Sequence, residues 1–305
     1  MIYRIIQSRK IFLTLSGLAI TASIFAIFFW GLHFGIDFTG GSLLEGQFVN
    51  YQPNITDVQN SLKDVDLHSL VIQPADNNSV ILRFQENTES IHEAVVANLN
   101  SLANSHQDAS FQELQFNSVG PSIGQELKSK SFNATAIAFI MIVIFISFAF
   151  RLVSKPVASW KYGVAAIIAL LHDVIFTLGA FAVLGHFYGT EINTPFIAAI
   201  LTVLGYSVND TIIVFDRIRE NLPKSQEDFE NTVNRSVNQT ITRSINTSFS
   251  AMLALLAVLF FGGDTIKDFA LALIIGIFVG TYSSIFIASP ILVVWDNLTR
   301  RKSSQ

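Results

Sequence analysis

The chain has 305 residues, half of them hydrophobic and only 14% charged, with no Cys and a formal charge of −4. Soluble proteins average about 25% charged residues, so this composition argues against a fully soluble enzyme. It also excludes a disordered chain, a disulfide framework, thiolate catalysis and a basic nucleic-acid-binding domain.

The charges are unevenly placed. Six stretches, roughly 11–33, 132–150, 162–185, 192–214, 245–261 and 269–295, are long and apolar enough to span a membrane, whose ~30 Å hydrocarbon core takes about 20 residues. They are predicted as helices, because lipid offers nothing to satisfy open backbone groups. The first span reads as an uncleaved signal anchor: its apolar run exceeds the ~7–15 residues of a signal h-region.

Basic residues set the sidedness. One set comprises Arg4, Arg9, Lys10, Arg151, Lys155, Lys161, Arg217, Arg219, Lys224, Arg235, Arg243, Arg300, Arg301 and Lys302, which is 14 of the 19. These segments are predicted to be cytoplasmic, with both termini. The expected division is therefore a cytoplasmic N-terminus and first span (1–33), a periplasmic domain (34–130), the remaining five spans (131–295) with cytoplasmic loops at 151–161 and 216–243, and a cytoplasmic tail (296–305).

The outer segment is long enough for one small core. Ser42–Val49 alternates like a strand, and Ile55, Val58, Leu62 and Val65 have helical spacing. Two strands, Ser69–Gln73 and Val80–Phe84, flank a turn at 75–78. A helix over Thr88–Ala103 carries Ile91, Val95, Leu99 and Leu102 on one face, and Phe111–Val119 is a last strand. This order, β-α-β-β-α-β, predicts an α+β ferredoxin-like domain beside an α-helical membrane bundle. From Asp37 to Lys130 there are twelve acidic and four basic residues, about −8 in total, so anionic partners are not bound by simple charge.

Ionisable groups inside spans are costly and point to function. Asp173, next to His172, lies about eleven residues into the third span, ~16 Å deep at 1.5 Å per residue. It reads as a protonatable carboxylate or as a neutral, His172-paired packing group. Asp210 shares a helical face with Thr202, Tyr206 and Asn209, a polar stripe that should face other helices or water. Arg243, just before the fifth span, is either a snorkelling interfacial residue or a cation that pairs with ionised Asp210. Ala272, Gly276, Gly280 and Ser284 recur every four residues and predict close helix packing.

Enzyme motifs fail. There is no phosphate-binding Gly-Lys-Ser/Thr loop and no His-Glu-x-x-His. Gly120-Pro121-Ser122-Ile123-Gly124 matches a nucleophile-elbow pattern but leads into a membrane span, the wrong context for one.

Three segments carry a family resemblance: Gly35-Ile36-Asp37-Phe38-Thr39-Gly40-Gly41, Val119-Gly120-Pro121-x-x-Gly124, and Gly205-Tyr206-Ser207-Val208-Asn209-Asp210-Thr211 continuing to Asn221. Leu171-His172-Asp173-Val174 and the stretch from Asn234 to Ser244 add to it. The sequence resembles the SecF family, membrane subunits of the bacterial SecDF protein-export accessory complex. The resemblance implies half of an RND-type transporter in the cytoplasmic membrane, with SecD and the SecYEG channel as partners and unfolded exported polypeptide as cargo. It implies no enzyme activity and no cofactor, and use of the proton gradient (sodium in some members) after SecA has acted. Asp210 is then the family's intramembrane carboxylate and Arg243 its basic partner, while Gly35, Asp37, Phe38, Gly40 and Gly41 form the outer-face motif. Gly40 and Gly41 could serve as a hinge, since Gly permits unusual backbone angles. An Asp and an Arg without a dense carbonyl-and-hydroxyl cage lean toward H⁺ over Na⁺. The competing readings are a small-molecule or lipid exporter half and a non-conducting assembly subunit.

Overall fold

The computed structural model describes residues 3–75, 77–149 and 158–303. The chain divides into two compact units, Phe34–Phe132 and the remainder. The first long helix, α1 (Arg9–Trp30), ends at Gly31, whose φ of 72° suits a glycine and whose N–H bonds to Ile27 O.

The smaller unit opens with the four-residue helix α2 (Ile36–Thr39). It continues as β1 (Gly41–Val49), α3 (Ile55–Ser61), β2 (Val71–Ala75), β3 (Ser79–Phe84), α4 (Glu89–Asn104) and β4 (Ser110–Val119). The strands form one antiparallel sheet in the order β2-β3-β1-β4. Period-2 burial explains it: Leu44 and Phe48 of β1 and Val80, Leu82 and Phe84 of β3 point into one core. Val58 and Leu62 from the α3 segment and Val95, Leu99 and Ala103 from α4 close that core. Gly46 is required where Phe111 crosses β1, because a Cβ there would sit 2.1 Å from the ring. Next to it the β1–β4 register shifts, Glu45 pairing with Gln115 and Gly46 with Glu113, which leaves Leu114 as a bulge.

Two boundaries move from expectation. The α3 helix stops at Ser61, and Leu62 and Val65 pack on the core from the turn that follows. Ser69 adopts a left-handed φ of 56°, so β2 begins only at Val71.

The second unit adds α5 (Pro121–Ala149, whose last residues belong to it), α6 (Ser159–Tyr188), α7 (Thr194–Asn221), α8 (Phe229–Phe261) and α9 (Asp264–Ser283). The last runs through a π-turn (Ser284–Ala288) into α10 (Ser289–Ser303). Among the described residues, six helices are long and apolar enough to cross a membrane. In this bundle α9 packs against α6, α7 and α8, and α1 packs against α6.

The helices outrun the apolar stretches that revealed them. Pro121, a residue suited to a helix's first turn, starts α5 well before residue 132. The expected loop 216–243 is mostly helix: α7 continues to Asn221, and α8 starts at Phe229 with Asp228 accepting from Asn231 N. Hydropathy marks only the lipid-immersed part of a helix, and charged turns beyond it leave no signal. The expected tail is helical to Ser303. The expected loop 151–161 lies largely outside the described residues.

Candidate functional site

The bundle interior between α6, α7, α8 and α9 is polar. Asp173 of α6 has no exposed surface. Its Oδ2 accepts from Ser207 Oγ of α7 at 2.5 Å and from Ser283 Oγ of α9 at 2.8 Å. Its Oδ1 lies 3.1 Å from His172 Nδ1. The other ring nitrogen, Nε2, is buried without a partner among the described residues. Three contacts from three helices thus converge on one carboxyl, which a buried acid requires.

Asp210 of α7 is buried beside α8 and is partnered on one side. Its Oδ1 accepts from Ser244 Oγ at 2.5 Å, whereas Oδ2 is buried without a hydrogen bond among the described residues. Ser284 adjoins this carboxyl, but its Oγ donates to Gly280 O at 2.9 Å and lies 2.9 Å from Thr211 Oγ1, a pair in which either hydroxyl can be the donor. Tyr206 OH meets Ser248 Oγ at 2.9 Å, and Ser248 in turn bonds Thr281. Two acids are therefore set in a field of hydroxyls. This corrects the expectation that no hydroxyl cage surrounds them.

The sequence-derived residues separate in space. Asn209 is exposed while Asp210 is buried, because successive helix residues point about 100° apart; Ser207 takes the place expected of Asn209. Arg243 lies well inside α8 rather than before a span. Among the described residues it forms no ion pair with Asp210. Arg243 faces a cleft of about 310 Å³ shared with Asp216, Arg217, Glu220 and Gln239. Gly276 and Gly280 bring α9 against α7. A Cβ at Gly276 would sit 2.2 Å from Val203 Cγ2, and one at Gly280 would sit 3.0 Å from Ser207 Cβ.

In the α+β unit, Gly35 precedes α2, Asp37 lies in its first turn and Phe38 is buried. Gly40 and Gly41 have φ of 77° and 121°. A Cβ on Gly40 would lie 2.7 Å from Pro121 Cα, and one on Gly41 would lie 2.6 Å from Phe84 O. A Cβ on Gly124 would lie 2.9 Å from the Gly40 amide nitrogen. The two glycine motifs thus form one locked corner. Positive φ angles and close backbone approach both demand glycine here.

Sequence reasoning missed Ser207, Ser244, Ser248, Ser283 and Ser284, and also a strap before α1. Tyr3 N and Ile6 N donate to Asn238 Oδ1 and Asn234 Oδ1 of α8, both asparagines donate back to Tyr3 O, and Arg9 pairs with Glu230 at 2.6 Å. The only available signal was the repeated asparagine at i, i+4 in a helical pattern.

Comparison with known proteins places the chain. Residues 99–298 match the family described as protein export membrane protein SecD/SecF, C-terminal, and residues 25–48 match the SecD/SecF GG motif. A protein translocase subunit SecF of Thermobaculum terrenum is 44% identical over 304 residues, covering 96% of this chain and 94% of that one. The SecF of Anaerolinea thermophila is 38% identical, with the same coverage. The solved structure of SecDF from Thermus thermophilus, described as a translocon-associated membrane protein, aligns with a TM-score of 0.82 at 32% identity, covering 97% of this chain and 39% of that longer chain. Alike in sequence along nearly its whole length and alike in fold, the chain belongs to the SecD/SecF family of protein export membrane proteins.

Proposed function

We propose that this chain is the SecF-type half of a membrane complex that couples proton flow to the late, SecA- and ATP-independent part of protein export. The observation that carries this reading is Asp210, a buried carboxyl with one partnered and one unpartnered oxygen at the junction of three spans. An acid held this way changes its hydrogen bonding when it loses or gains a proton, and so can drive a packing change. One charge crossing the full membrane field gains about 2.3 kcal/mol per 100 mV, enough for a modest conformational step. The coupling ion is H⁺: the hydroxyls of Ser207, Ser283 and Ser244 donate to the two carboxyls, whereas a bound cation needs oxygen lone pairs turned toward it. The complex does no covalent chemistry and takes no cofactor.

The α+β unit is periplasmic and both termini are cytoplasmic, as the basic residues favour. Its element order and its β2-β3-β1-β4 sheet support the ferredoxin-like assignment. The partner in the membrane is SecD. Asn209, Arg243, Asn246 and Ser250 form an exposed polar flank on α7 and α8, and such a flank at membrane depth requires water or another chain's helices. SecYEG and an unfolded exported polypeptide complete the assembly.

The test is Asp210→Asn, which keeps the shape and removes the titration. In vesicles carrying the full complex and a proton gradient, precursor export should fall to the rate seen without a gradient. Export at the wild-type rate would overturn the coupling role.

A further inference from the structure

Ser283 and Ser284 are adjacent, both fully buried, and sit where α9 changes from α to π geometry. π-turns inside helices are often found at functional sites. Here the turn aims two neighbouring hydroxyls at two different acids. Ser283 Oγ lies 2.8 Å from Asp173 Oδ2, and Ser284 adjoins the Asp210 carboxyl.

Both hydroxyls also reach one backbone acceptor. Gly280 O is 3.1 Å from Ser283 Oγ and 2.9 Å from Ser284 Oγ. Each serine has one hydrogen to give. Ser283 divides its hydrogen between Asp173 and Gly280, while Ser284 commits its own to Gly280, which leaves Asp210 Oδ2 without a donor. Three acceptors therefore compete for two hydrogens.

We infer that Ser283 and Ser284 are positioning residues which, by sharing the Gly280 carbonyl, tie the hydrogen bonding of Asp173 to that of Asp210. The inference rests on the reading of Asp210 as the coupling acid and adds Asp173 as its linked second site. When Asp210 ionises, the Ser284 hydrogen turns toward its unpartnered oxygen. Gly280 O, which also accepts the Ser284 backbone N–H, then has its remaining lone pair open to the Ser283 hydrogen, and Asp173 keeps only Ser207 and His172. The reverse sequence follows when Asp173 ionises and draws Ser283 fully to itself: Ser284 is held at Gly280, and Asp210 Oδ2 goes without. The two acids thus favour charge on one or the other, not on both.

Other ionisable groups around the pair are His172 on α6, Tyr206 on α7, Arg243 on α8 and Tyr282 on α9, and none bridges the two carboxyls. Gly280 is itself required, because any side chain would press on Ser207 and lie 3.6 Å from Asp173 Oδ2. The shared carbonyl and the close packing come from the same position.

The signature is a crossed effect. Infrared titration of the full chain in lipid vesicles reads each protonated carboxyl, with Asp173→Asn and Asp210→Asn assigning the bands. In Ser283→Ala the midpoint of the Asp210 band should move by about one pH unit, a tenfold change in proton affinity, although Ser283 does not touch Asp210. In Ser284→Ala the Asp173 band should move likewise. Ser283→Thr and Ser284→Thr, which keep a hydroxyl, should restore both midpoints and guard against a folding defect. If each serine shifts only the acid beside it, the linkage is overturned while the coupling role of Asp210 stands. If neither acid titrates in the wild type, the coupling reading fails, and the inference with it.

Discussion

The two units of this chain differ in how much polar side chain they bury beside their apolar residues. In the α+β unit the side chains with no exposed surface are Leu44, Val58, Leu82, Val95, Leu99 and Ala103, with Ser42 the one polar residue of that kind among the described residues. In the bundle they include Asp173, Thr177, Ser207, Ser283 and Ser284, while Phe28 and Phe261 are 87% and 90% exposed. Water expels apolar surface, so the small unit sorts its residues by hydrophobicity. Lipid exerts no such pressure between helices, so the bundle is joined by small residues at close approach and by polar contacts inside. The difference teaches where to look for work: a buried polar group is ordinary cost in neither solvent, and the bundle has concentrated its polar groups at one junction.

The strongest way to break this comparison is to remove the acceptor at the bundle's centre. Asp173→Ala leaves the contacts from His172, Ser207 and Ser283 without their acceptor. Each stranded buried donor costs about 1–3 kcal/mol, and Ser283 can fall back on Gly280. We expect a loss of about 4 kcal/mol in the stability of the bundle, measured by denaturant unfolding in detergent. Asp173→Asn keeps a carbonyl oxygen and should lose less than half of that. Equal stability of both variants and the wild type would mean that apolar packing holds the bundle after all.

The α+β unit should respond to the reverse insult. Leu99 is fully buried against the sheet, and Leu99→Ala creates a cavity costing about 3 kcal/mol. Hydrogen exchange should accelerate across residues 34–120 and stay unchanged in the six spans. Acceleration in α6 or α9 of the same variant would show that the two units share one cooperative unfolding event.

Legibility in the sequence follows the same division. Alternation and amphipathic spacing revealed the four strands and the two longer helices of the α+β unit, though not the four-residue α2, because in water burial and hydrophobicity coincide. In the membrane, the spans and the two acids stood out, a charge within an apolar run being conspicuous. The partners of those acids did not. Ser207, Ser244, Ser283 and Ser284 are neutral and small, and hydropathy treats them as unremarkable. Ser244 and Ser207 lie 34 residues from the carboxyls they serve, and Ser283 lies 110 away, so only the tertiary fold brings them together. The four-residue stripe through Gly276 and Gly280 reached Ser284 but showed it as a packing residue. Gly40 and Gly41 were legible as special glycines, yet nothing in the local sequence said that Pro121 and Gly124 would close over them.

The smallest expected effect sharpens the contrast from the wet side. His68 Nδ1 lies 2.6 Å from Glu86 Oε1, and its backbone N–H donates to both Glu86 oxygens at 3.0 and 3.1 Å. The hydrogen bond to Glu86, then the charges of Glu86 and Asp66, hold the imidazole above its ordinary value of 6.5. For Glu86, burial acts to raise its value, but the hydrogen bonds and charge of His68 outweigh it and hold the carboxyl below the usual range. The raised imidazole contributes stability that is complete below its unfolded value and is lost as pH rises through the folded one. The lowered carboxyl contributes above its unfolded value and is lost as pH falls through the folded one. The clip on the segment before β2 is therefore firmest between the two ordinary values. It is solvent-screened, so the gain in stability is slight. In Glu86→Gln, the His68 proton resonances should titrate lower, closer to the ordinary imidazole value, while His92, held by Glu89 and Glu113, keeps its own midpoint. A His68 midpoint unmoved by that substitution would mean the exposed pair does not form in solution, and that charge in this unit is left entirely to water.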